Sequence, residues 1–288
     1  MTDLIVKSMD DALLAKREQL LALVAGYRRC AVAYSGGVDS AVVCQAAFLA
    51  LGDEAVAVTA NSESLASGEL EAAQEVARQI GIRHVVMRTN ELANPLYVRN
   101  APDRCYHCKA ELYQELEAFV EDWPGAVMAN GANADDQGDY RPGMTAAAER
   151  QVRSPLLECG INKQEVRQLA EAWGLPVWDK PASPCLSSRL AYGEEVTPDR
   201  LRAIDLAEQK LRGLGLLQVR VRYHRGDLAR IEVPAEAIAR LADPSVRDSL
   251  VSELRLLGFK YVTLDLAGFA SGSMNAVLPV ESLVLHRA

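Results

Sequence analysis

The chain has 288 residues, 49% of them hydrophobic and 24% charged, and its formal net charge is −8. This length suits a large α/β domain with a smaller companion, and the acidic balance argues against a broad nucleic-acid surface. The first ten residues do not resemble a signal peptide, the apolar runs are too short to span a membrane, and six cysteines do not suggest a disulfide framework, so we expect a cytoplasmic protein.

The first predicted unit is a strand, a glycine turn and a helix. An apolar run over 30–34 leads into Ser-Gly-Gly-Val-Asp-Ser at 35–40, and a helical pattern follows over 41–51. Backbone amides at such a turn favour an anion, and glycines let the backbone approach it closely. A carboxylate within a phosphate site indicates an intervening cation, so we also predict Mg²⁺. The residues assigned to this site are Ser35, Gly36, Gly37, Asp39 and Ser40.

The sequence at 35–40 resembles the SGGxDS signature of the PP-loop ATP pyrophosphatase superfamily. These enzymes cleave ATP between the α and β phosphates and transfer AMP to a substrate oxygen, and the resemblance implies the same use of ATP here. No Gly-Lys-Ser/Thr follows, so the loop is not the P-loop of kinases and GTPases. The alternative is a tight turn between strand and helix with incidental serines.

Apolar runs then alternate with helical patterns along the chain. Strands are predicted over 55–60, 83–88 and 125–129, and helices over 68–80, 104–120 and 162–173. Such alternation indicates right-handed crossovers and a mainly parallel sheet, whose ligands bind beyond the carboxyl ends of the strands. We therefore predict an α/β fold with helices on both faces of the sheet, and the PP-loop resemblance implies its adenine nucleotide alpha hydrolase-like form.

A smaller α+β unit is predicted after a loop over 174–196 that is rich in Pro, Ser and Gly. A helix over 198–213 has Thr as its N-cap and Pro in its first turn. Strands are predicted over 217–223, 228–233 and 260–266, with two short helices before the last of them. We place the boundary near 190–197, which gives a PP-loop domain, 1–192, and a small domain for substrate binding or oligomerisation, 193–288. We expect the last ~20 residues to be loosely structured.

A polar loop follows the strand at 125–129. Its Asn, Asp and Gly residues suit a cation or nucleotide pocket, whereas the alternative is a solvated turn cluster. With Arg-Ser-Pro-Leu at 153–156, the loop resembles the G-x-N-A-D-D-x-G-D-Y-R-P-G and R-S-P-L stretch of the LarE-type ATP-dependent sulfur transferases of nickel-pincer nucleotide biosynthesis. The match extends from the loop at 35–40 to about residue 222. It implies a nucleotide site that includes Gly131, Asn133, Asp136, Asp139 and Arg141.

Three cysteines form the next candidate site. Cys105 and Cys108 make a Cys-x-x-Cys at the head of a predicted helix, and Cys185 lies in the long loop. Such a pair binds zinc, acts in redox chemistry, holds a cluster or is incidental. A second Cys-x-x-Cys for structural zinc is absent, whereas three thiolates suit a [4Fe–4S] cluster with one iron free of protein ligands. The remaining cysteines are interpreted as small core residues: Cys30, Cys44 and Cys159.

The resemblance leaves two possibilities for the sulfur source. One LarE-type branch, like several tRNA-thiolating PP-loop enzymes, carries the transferred sulfur on the open iron of a [4Fe–4S] cluster. Other LarE-type proteins sacrifice the sulfur of a single cysteine in the region of Cys185, which leaves dehydroalanine. Because Cys105 and Cys108 depart from the single-cysteine pattern, we predict the cluster form with all three cysteines as ligands.

Candidate substrate ligands lie beside the third cysteine and in the small domain. Ser188 and Arg189 follow that cysteine closely, and Arg220 and Arg222 alternate on one face of a predicted strand, where they suit phosphate. Without the resemblance, a solvated strand face would be the preferred interpretation. The resemblance implies that both strand arginines, with Glu208 on the preceding helix, serve a pyridinium mononucleotide that carries carboxylates. We also expect a sulfide or sulfur donor and a homo-oligomer.

These predictions combine into an ATP-dependent sulfur transfer in two steps. A substrate carboxylate attacks the α-phosphate and forms an acyl-adenylate and pyrophosphate, with the loop amides and the metal neutralising charge and Asp39 as the carboxylate that holds the metal. Sulfur at the cluster or at Cys185 then expels AMP and leaves a thiocarboxylate. Three alternatives stay open: tRNA thiolation, which the net charge argues against, amidation by an ammonia-dependent synthetase, and nucleotide sensing without catalysis.

Overall fold

The structure is a computed structural model that describes residues 9–137, 141–270 and 274. Its helices are α1 (Asp11–Ala25), α2 (Val38–Leu51), α3 (Glu69–Ile80), α4 (Pro95–Val98), α5 (Arg104–Glu121), α6 (Pro142–Glu149), α7 (Pro155–Glu158), α8 (Lys163–Ala172), α9 (Pro198–Gly213), α10 (Ile238–Ala242) and α11 (Pro244–Leu256). Its strands are β1 (Cys30–Ala33), β2 (Ala55–Asn61), β3 (Arg83–Arg88), β4 (Val127–Ala129), β5 (Arg220–His224), β6 (Leu228–Glu232) and β7 (Tyr261–Leu264).

The first four strands form a parallel sheet in the order β3-β2-β1-β4. The chain runs from β1 outward to β3 and then returns to place β4 on the other side of β1. The loops that leave β1 and β4 therefore open a crevice at the carboxyl edge of the sheet, which is where ligands bind in doubly wound folds. The predicted α/β fold with a mainly parallel sheet is confirmed.

Both faces of this sheet are covered by helices, as predicted. Successive residues of a strand face opposite sides. Cys30 and Val32 of β1 join a buried cluster with α1, α2, α3 and α8, whereas Ala31 joins a second cluster with α5 and α6. Burial on both faces explains why the strands appear in the sequence as nearly continuous apolar runs.

A second, mixed sheet follows α9 in the chain. β5 pairs antiparallel with β6, and β6 pairs parallel with β7. The turn between β5 and β6 contains Gly226 and Asp227, both with positive φ. Thr197 caps α9 by accepting a hydrogen bond from the Arg200 amide at 3.3 Å. This sheet and α9 share a hydrophobic cluster that also includes Tyr97 and residues on the Cys185 loop, and the boundary after residue 192 stays a prediction.

Several elements differ from the sequence-based expectation. α1 and α6 were not predicted, because α1 buries only Leu13, Leu20 and Val24 and α6 is a short helix. β5 begins at Arg220 rather than at Leu217, whose side chain is 91% exposed. The expectation for the last ~20 residues falls mostly outside the described residues. No helix in the part of the chain that the structure describes is long and apolar enough to cross a membrane.

Candidate active site

The loop between β1 and α2 is held by its own hydroxyl groups. The Ser35 amide donates to Ser40 Oγ at 3.2 Å, and the Ser40 hydroxyl donates to the Gly37 carbonyl at 3.1 Å. Gly36 has φ +74°, and a Cβ there would lie 3.0 Å from the Ala73 Cβ on α3, so two constraints favour glycine. Gly37 caps α2 without a side-chain hydrogen bond. The first amides of α2 are therefore available to an anion.

Asp39 faces the loop after β4 across the crevice. Its carboxylate accepts a hydrogen bond from Asn133 Nδ2 at 3.0 Å and forms an ion pair with Lys163 Nζ. Lys163 is the first residue of α8 and was not among the predicted site residues. The Asn162–Glu165 capping box marks this helix start in the sequence, but only the fold brings it to Asp39. A cation that binds Asp39 would compete with the lysine ammonium.

The loop after β4 approaches the loop at 35–40 closely at Gly131. A Cβ on Gly131 would lie 2.6 Å from the Ser40 backbone nitrogen. Asn133 and Asp136 form a reciprocal capping box, in which the backbone N–H of Asn133 donates to Asp136 Oδ2 at 3.0 Å. Arg141 Nη1 lies 2.8 Å from Asp136 Oδ1. The structure thus brings the predicted nucleotide residues together at one edge of the sheet, except for Asp139, which lies outside the described residues.

The three candidate cysteines converge from two elements. Cys105 and Cys108 lie one turn apart on α5, and Cys105 and Cys185 are exposed. Burial raises the pKa of the Cys108 thiol; the Lys109 ammonium opposes this shift, and the Cys185, Glu91 and Cys105 charges reinforce it. The thiols of Cys105 and Cys185 thus each lie close enough to Cys108 to affect its pKa.

As a donor set, three thiolates suit iron. Within the described residues, however, no three His, Cys, Asp or Glu side chains stand ready to hold a metal ion. The Cys108 thiol instead donates to Glu91 Oε1 at 3.5 Å. The residue types therefore fit a cluster, and ligation requires the thiols to turn toward a common centre.

Buried hydrogen bonds fasten the loop of the third cysteine to the start of α5. Arg104 Nη1 donates to the Ser187 carbonyl at 2.8 Å and to Asn100 Oδ1. The Tyr97 and Ser187 hydroxyl oxygens lie 2.6 Å apart. Asn100 Nδ2 donates to the carbonyls of Ala191 and Glu194, and Asn100 is completely buried. This network fixes the loop relative to the Cys-x-x-Cys helix.

A cavity of about 510 Å³ lies between the loop at 180–184 and the start of β5. Among the predicted substrate residues, Ser188, Arg220 and Arg222 line it. Burial first and Arg189 second lower the pKa of Arg220 to about 10, which leaves the guanidinium charged at neutral pH. Arg222 is paired with Glu232 at 2.8 Å. Further charged residues in the lining were not predicted: Glu69, Arg104, Lys180 and Arg212.

The other two predicted substrate residues lie behind this cavity. Arg189 and Glu208 have side chains with 0% exposure and form a bidentate pair, with N–O distances of 3.0 and 3.2 Å. Arg189 Nη1 also donates to the Cys185 carbonyl at 2.9 Å. In this arrangement the pair supports the cysteine loop from within, and a direct substrate contact by either residue stays a prediction.

A glycine turn with helix-start amides open to an anion, at the edge where the sheet order reverses, is typical of nucleotide-binding α/β proteins. Comparison with known proteins narrows this class. The asparagine synthase family model matches residues 22–109. The chain is 49% identical over 264 residues to an uncharacterized protein of Synechocystis sp., covering 92% of this chain and 98% of that protein. It is 40% identical over 273 residues to the pyridinium-3,5-bisthiocarboxylic acid mononucleotide synthase of Lactiplantibacillus plantarum, covering 94% and 98%.

A more distant match is the tRNA-specific 2-thiouridylase MnmA of Azorhizobium caulinodans, 32% identical over 215 residues and covering 60% of this chain and 54% of that protein. The identity and coverage of the Lactiplantibacillus synthase decide the assignment. The chain belongs to the family of that synthase, within the PP-loop ATP pyrophosphatases. It is therefore an ATP-dependent enzyme, as the two loop motifs predicted.

Proposed function

We propose that this enzyme activates a carboxylate of a pyridinium mononucleotide with ATP and converts it into a thiocarboxylate. The relative that shares most of the chain is named for a bisthiocarboxylic product. The observation that carries the proposal is the cationic cavity, whose lining joins Glu69 on α3 to Pro184 and Ser188, on either side of Cys185 in the chain. Since α3 also packs against Gly36 through Ala73, this cavity adjoins both the ATP loop and the cysteine loop.

The first step is adenylation. The amides and hydroxyls of the loop at 35–40 would hold the ATP phosphates, with Lys163 as a further cation for the pyrophosphate. Mg²⁺, when bound, supplies charge neutralisation, and Asp39 is its candidate ligand. The substrate carboxylate oxygen bonds to the α-phosphorus as the bond to the pyrophosphate breaks. The carboxylate oxygen, which is a poor leaving group on its own, thereby becomes part of AMP, which is a good one.

The second step replaces AMP with sulfur. We propose Cys105, Cys108 and Cys185 as ligands of a [4Fe–4S] cluster, which, when bound, supplies an iron position open to sulfide. The chain's own contribution is to present the sulfur at the exposed Cys185 loop, which Arg104 and Arg189 fasten in place. Carbon–sulfur bond formation accompanies cleavage of the carbon–oxygen bond to AMP. In the alternative, the Cys185 thiolate itself is the nucleophile and is consumed.

Asp39→Asn tests the adenylation site. We expect pyrophosphate release to fall on the order of a hundredfold or more, because the variant loses the charge that would hold the metal and balance Lys163. Asp53→Asn is the control, since Asp53 is exposed in the turn after α2 and its release should match the wild type. Unchanged release by Asp39→Asn would overturn the assignment of the loop.

The sulfur source is tested by anaerobic purification, iron and sulfide analysis, and intact mass before and after turnover. A cluster predicts stoichiometric iron and an unchanged protein mass, with iron lost in the Cys105→Ala/Cys108→Ala double variant. Cys159→Ala, a buried thiol away from the other three, should retain iron. Loss of one H₂S equivalent from Cys185 would instead support the sacrificial route.

The likeness to MnmA favours tRNA thiolation as the second candidate function. It would require phosphate contacts on a protein with net charge −8. Filter binding to bulk tRNA over a range of salt concentrations decides between the two, because phosphate contacts make affinity fall steeply with salt. Tight, salt-sensitive binding would favour tRNA; its absence supports the mononucleotide. The homo-oligomer and the cytoplasmic location stay predictions.

A further inference from the structure

We propose that Arg104 is a further substrate-binding residue, which holds the reacting carboxylate of the pyridinium nucleotide beside Cys185. This inference rests on the proposed function, since it names a contact of the same substrate. Neither the glycine-loop motif nor the arginines of β5 point to it. It rests on the placement of one guanidinium between the cavity and the cysteine loop.

Arg104 is anchored on one side and open on the other. Its side chain is buried, with 5% of the residue exposed, and it lines the cavity. Nη1 makes both of its hydrogen bonds, to the Ser187 carbonyl and to Asn100 Oδ1. Among the described residues, Nε and Nη2 have no hydrogen-bond partner. A guanidinium with one fixed corner and a free edge is preorganised for an incoming carboxylate.

The charge of Arg104 is also unbalanced within the described part of the chain. No carboxylate there lies within ion-pair distance of its guanidinium, although buried cations normally have an anionic partner. Glu69, the carboxylate in the cavity lining, lies 2.7 Å from Lys180 and accepts from Ser183 Oγ. An anionic ligand is therefore the partner that this site lacks.

The position of Arg104 indicates which anionic group of the substrate it takes. It directly precedes Cys105 in the chain. Its hydrogen bond is to the carbonyl of Ser187, which lies two residues after Cys185. Arg220 lies at the β5 side of the cavity, where it donates to the Ala182 carbonyl at 2.9 Å. A mononucleotide with its phosphate toward Arg220 would therefore present a ring carboxylate to Arg104, next to the sulfur that must attack it.

The test compares two ligands on the full-length protein: nicotinate mononucleotide, which carries a ring carboxylate, and nicotinamide mononucleotide, its neutral carboxamide analogue. Calorimetry gives both dissociation constants for the wild type, Arg104→Gln and Arg104→Lys. We expect the wild type to bind the carboxylate ligand about tenfold or more tightly, and Arg104→Gln to remove this preference. Arg104→Lys keeps the charge but loses the fork, so an intermediate ratio is expected. The ratio is insensitive to a misfolded fraction of the sample.

Two controls separate binding from loop displacement. Tyr97→Phe removes the hydroxyl contact to Ser187 without touching the guanidinium, so it should keep the preference. Arg220→Gln should weaken both ligands alike. Arg104 variants that keep the full wild-type preference, or a wild type that binds both ligands equally, would overturn the inference. Failure of the wild type to bind either ligand would instead contradict the proposed function itself.

Discussion

At the scale of single residues, the two loops of the nucleotide site depend on how closely their backbones approach. Gly131 is the clearest case, because a side chain there would meet the backbone of Ser40 rather than a movable side chain. Ser40 supplies both the backbone amide and the side-chain hydroxyl that we assign to phosphate. The asparagine at 133 reaches Asp39 from the same loop. Loss of the close approach would therefore damage both halves of the site together.

Gly131→Ala should lower the free energy of unfolding by about 1–3 kcal/mol and weaken ATP binding, since the added methyl pushes the loops apart. Gly213→Ala is the matched control. Gly213 ends α9 with open space around it and no positive φ, so alanine should be neutral or stabilise by up to ~1 kcal/mol. Urea unfolding and nucleotide titration measure both quantities. A Gly131→Ala protein as stable and as tight as the wild type would show that the loops separate freely.

Residues that act through sequence motifs were predictable, and residues that act through the fold were not. The loop at 35–40 could be identified from its own pattern, because strand, glycine turn and helix are adjacent in the chain. Lys163 and Arg104 could not be identified in this way, since Asp39 and Ser187, the contacts that place them at the site, lie more than eighty residues away in sequence. Both Arg189 and Arg220 were expected near the substrate. The sequence could not predict that Arg189 is completely buried in an ion pair whereas Arg220 lines the cavity.

At the scale of elements, the loop that carries Cys185 is held by charged groups inside the protein. The pair between Arg189 and Glu208 joins this loop to α9, and Arg212 shares the same carboxylate at 2.9 Å. Glu208 Oε1 also accepts the amide of Val221 on β5. One buried carboxylate thus connects the cysteine loop, the helix and the second sheet.

Glu208→Gln should destabilise the protein by about 3–5 kcal/mol, because it leaves the Arg189 guanidinium buried without a counter-charge. Lys210→Met, on the same helix, removes an exposed pair with Glu253 and should cost less than ~1 kcal/mol. Chemical denaturation provides the comparison. Equal losses in the two variants would mean that the buried pair does not hold the loop.

β3 provides a pH-dependent element. The Thr59 hydroxyl donates to the Tyr34 carbonyl at 2.8 Å, so Thr59 Oγ1 accepts from His84 Nε2, also at 2.8 Å. Burial lowers the pKa of His84. The folded state therefore favours the neutral ring: its contribution to stability is complete above the unfolded pKa and is lost as the pH falls below that value.

We expect the urea midpoint of the wild type to fall between about pH 7.5 and about pH 5.5, and to fall less in His84→Gln. Glutamine keeps a donor for Thr59 and cannot be protonated in this range. Part of the dependence should persist in the variant, since burial also lowers the pKa of His224. Identical pH dependence in the two proteins would exclude His84 as a contributor.

At the scale of the whole molecule, the fold brings the loop that we assign to ATP and the loop that carries Cys185 to one cavity. The parallel sheet carries at its carboxyl edge the loops that we assign to ATP, while the segment after it brings Cys185 and the second sheet to the Cys-x-x-Cys helix. Hydrophobic periodicity was sufficient to predict the α/β architecture and most elements. It could not predict the cavity, because its walls come from segments that are separated in sequence and meet only in the folded chain.

The most direct test of the proposed function is a single-turnover reaction of the anaerobically purified protein with ATP, Mg²⁺, sulfide and a pyridinium dicarboxylate mononucleotide. Mass spectrometry of the nucleotide product and quantification of AMP and pyrophosphate follow the two steps together. The proposed function predicts AMP, pyrophosphate and a product in which sulfur has replaced one carboxylate oxygen, in equal amounts. AMP and pyrophosphate without incorporation of sulfur, or sulfur transfer without AMP, would contradict it.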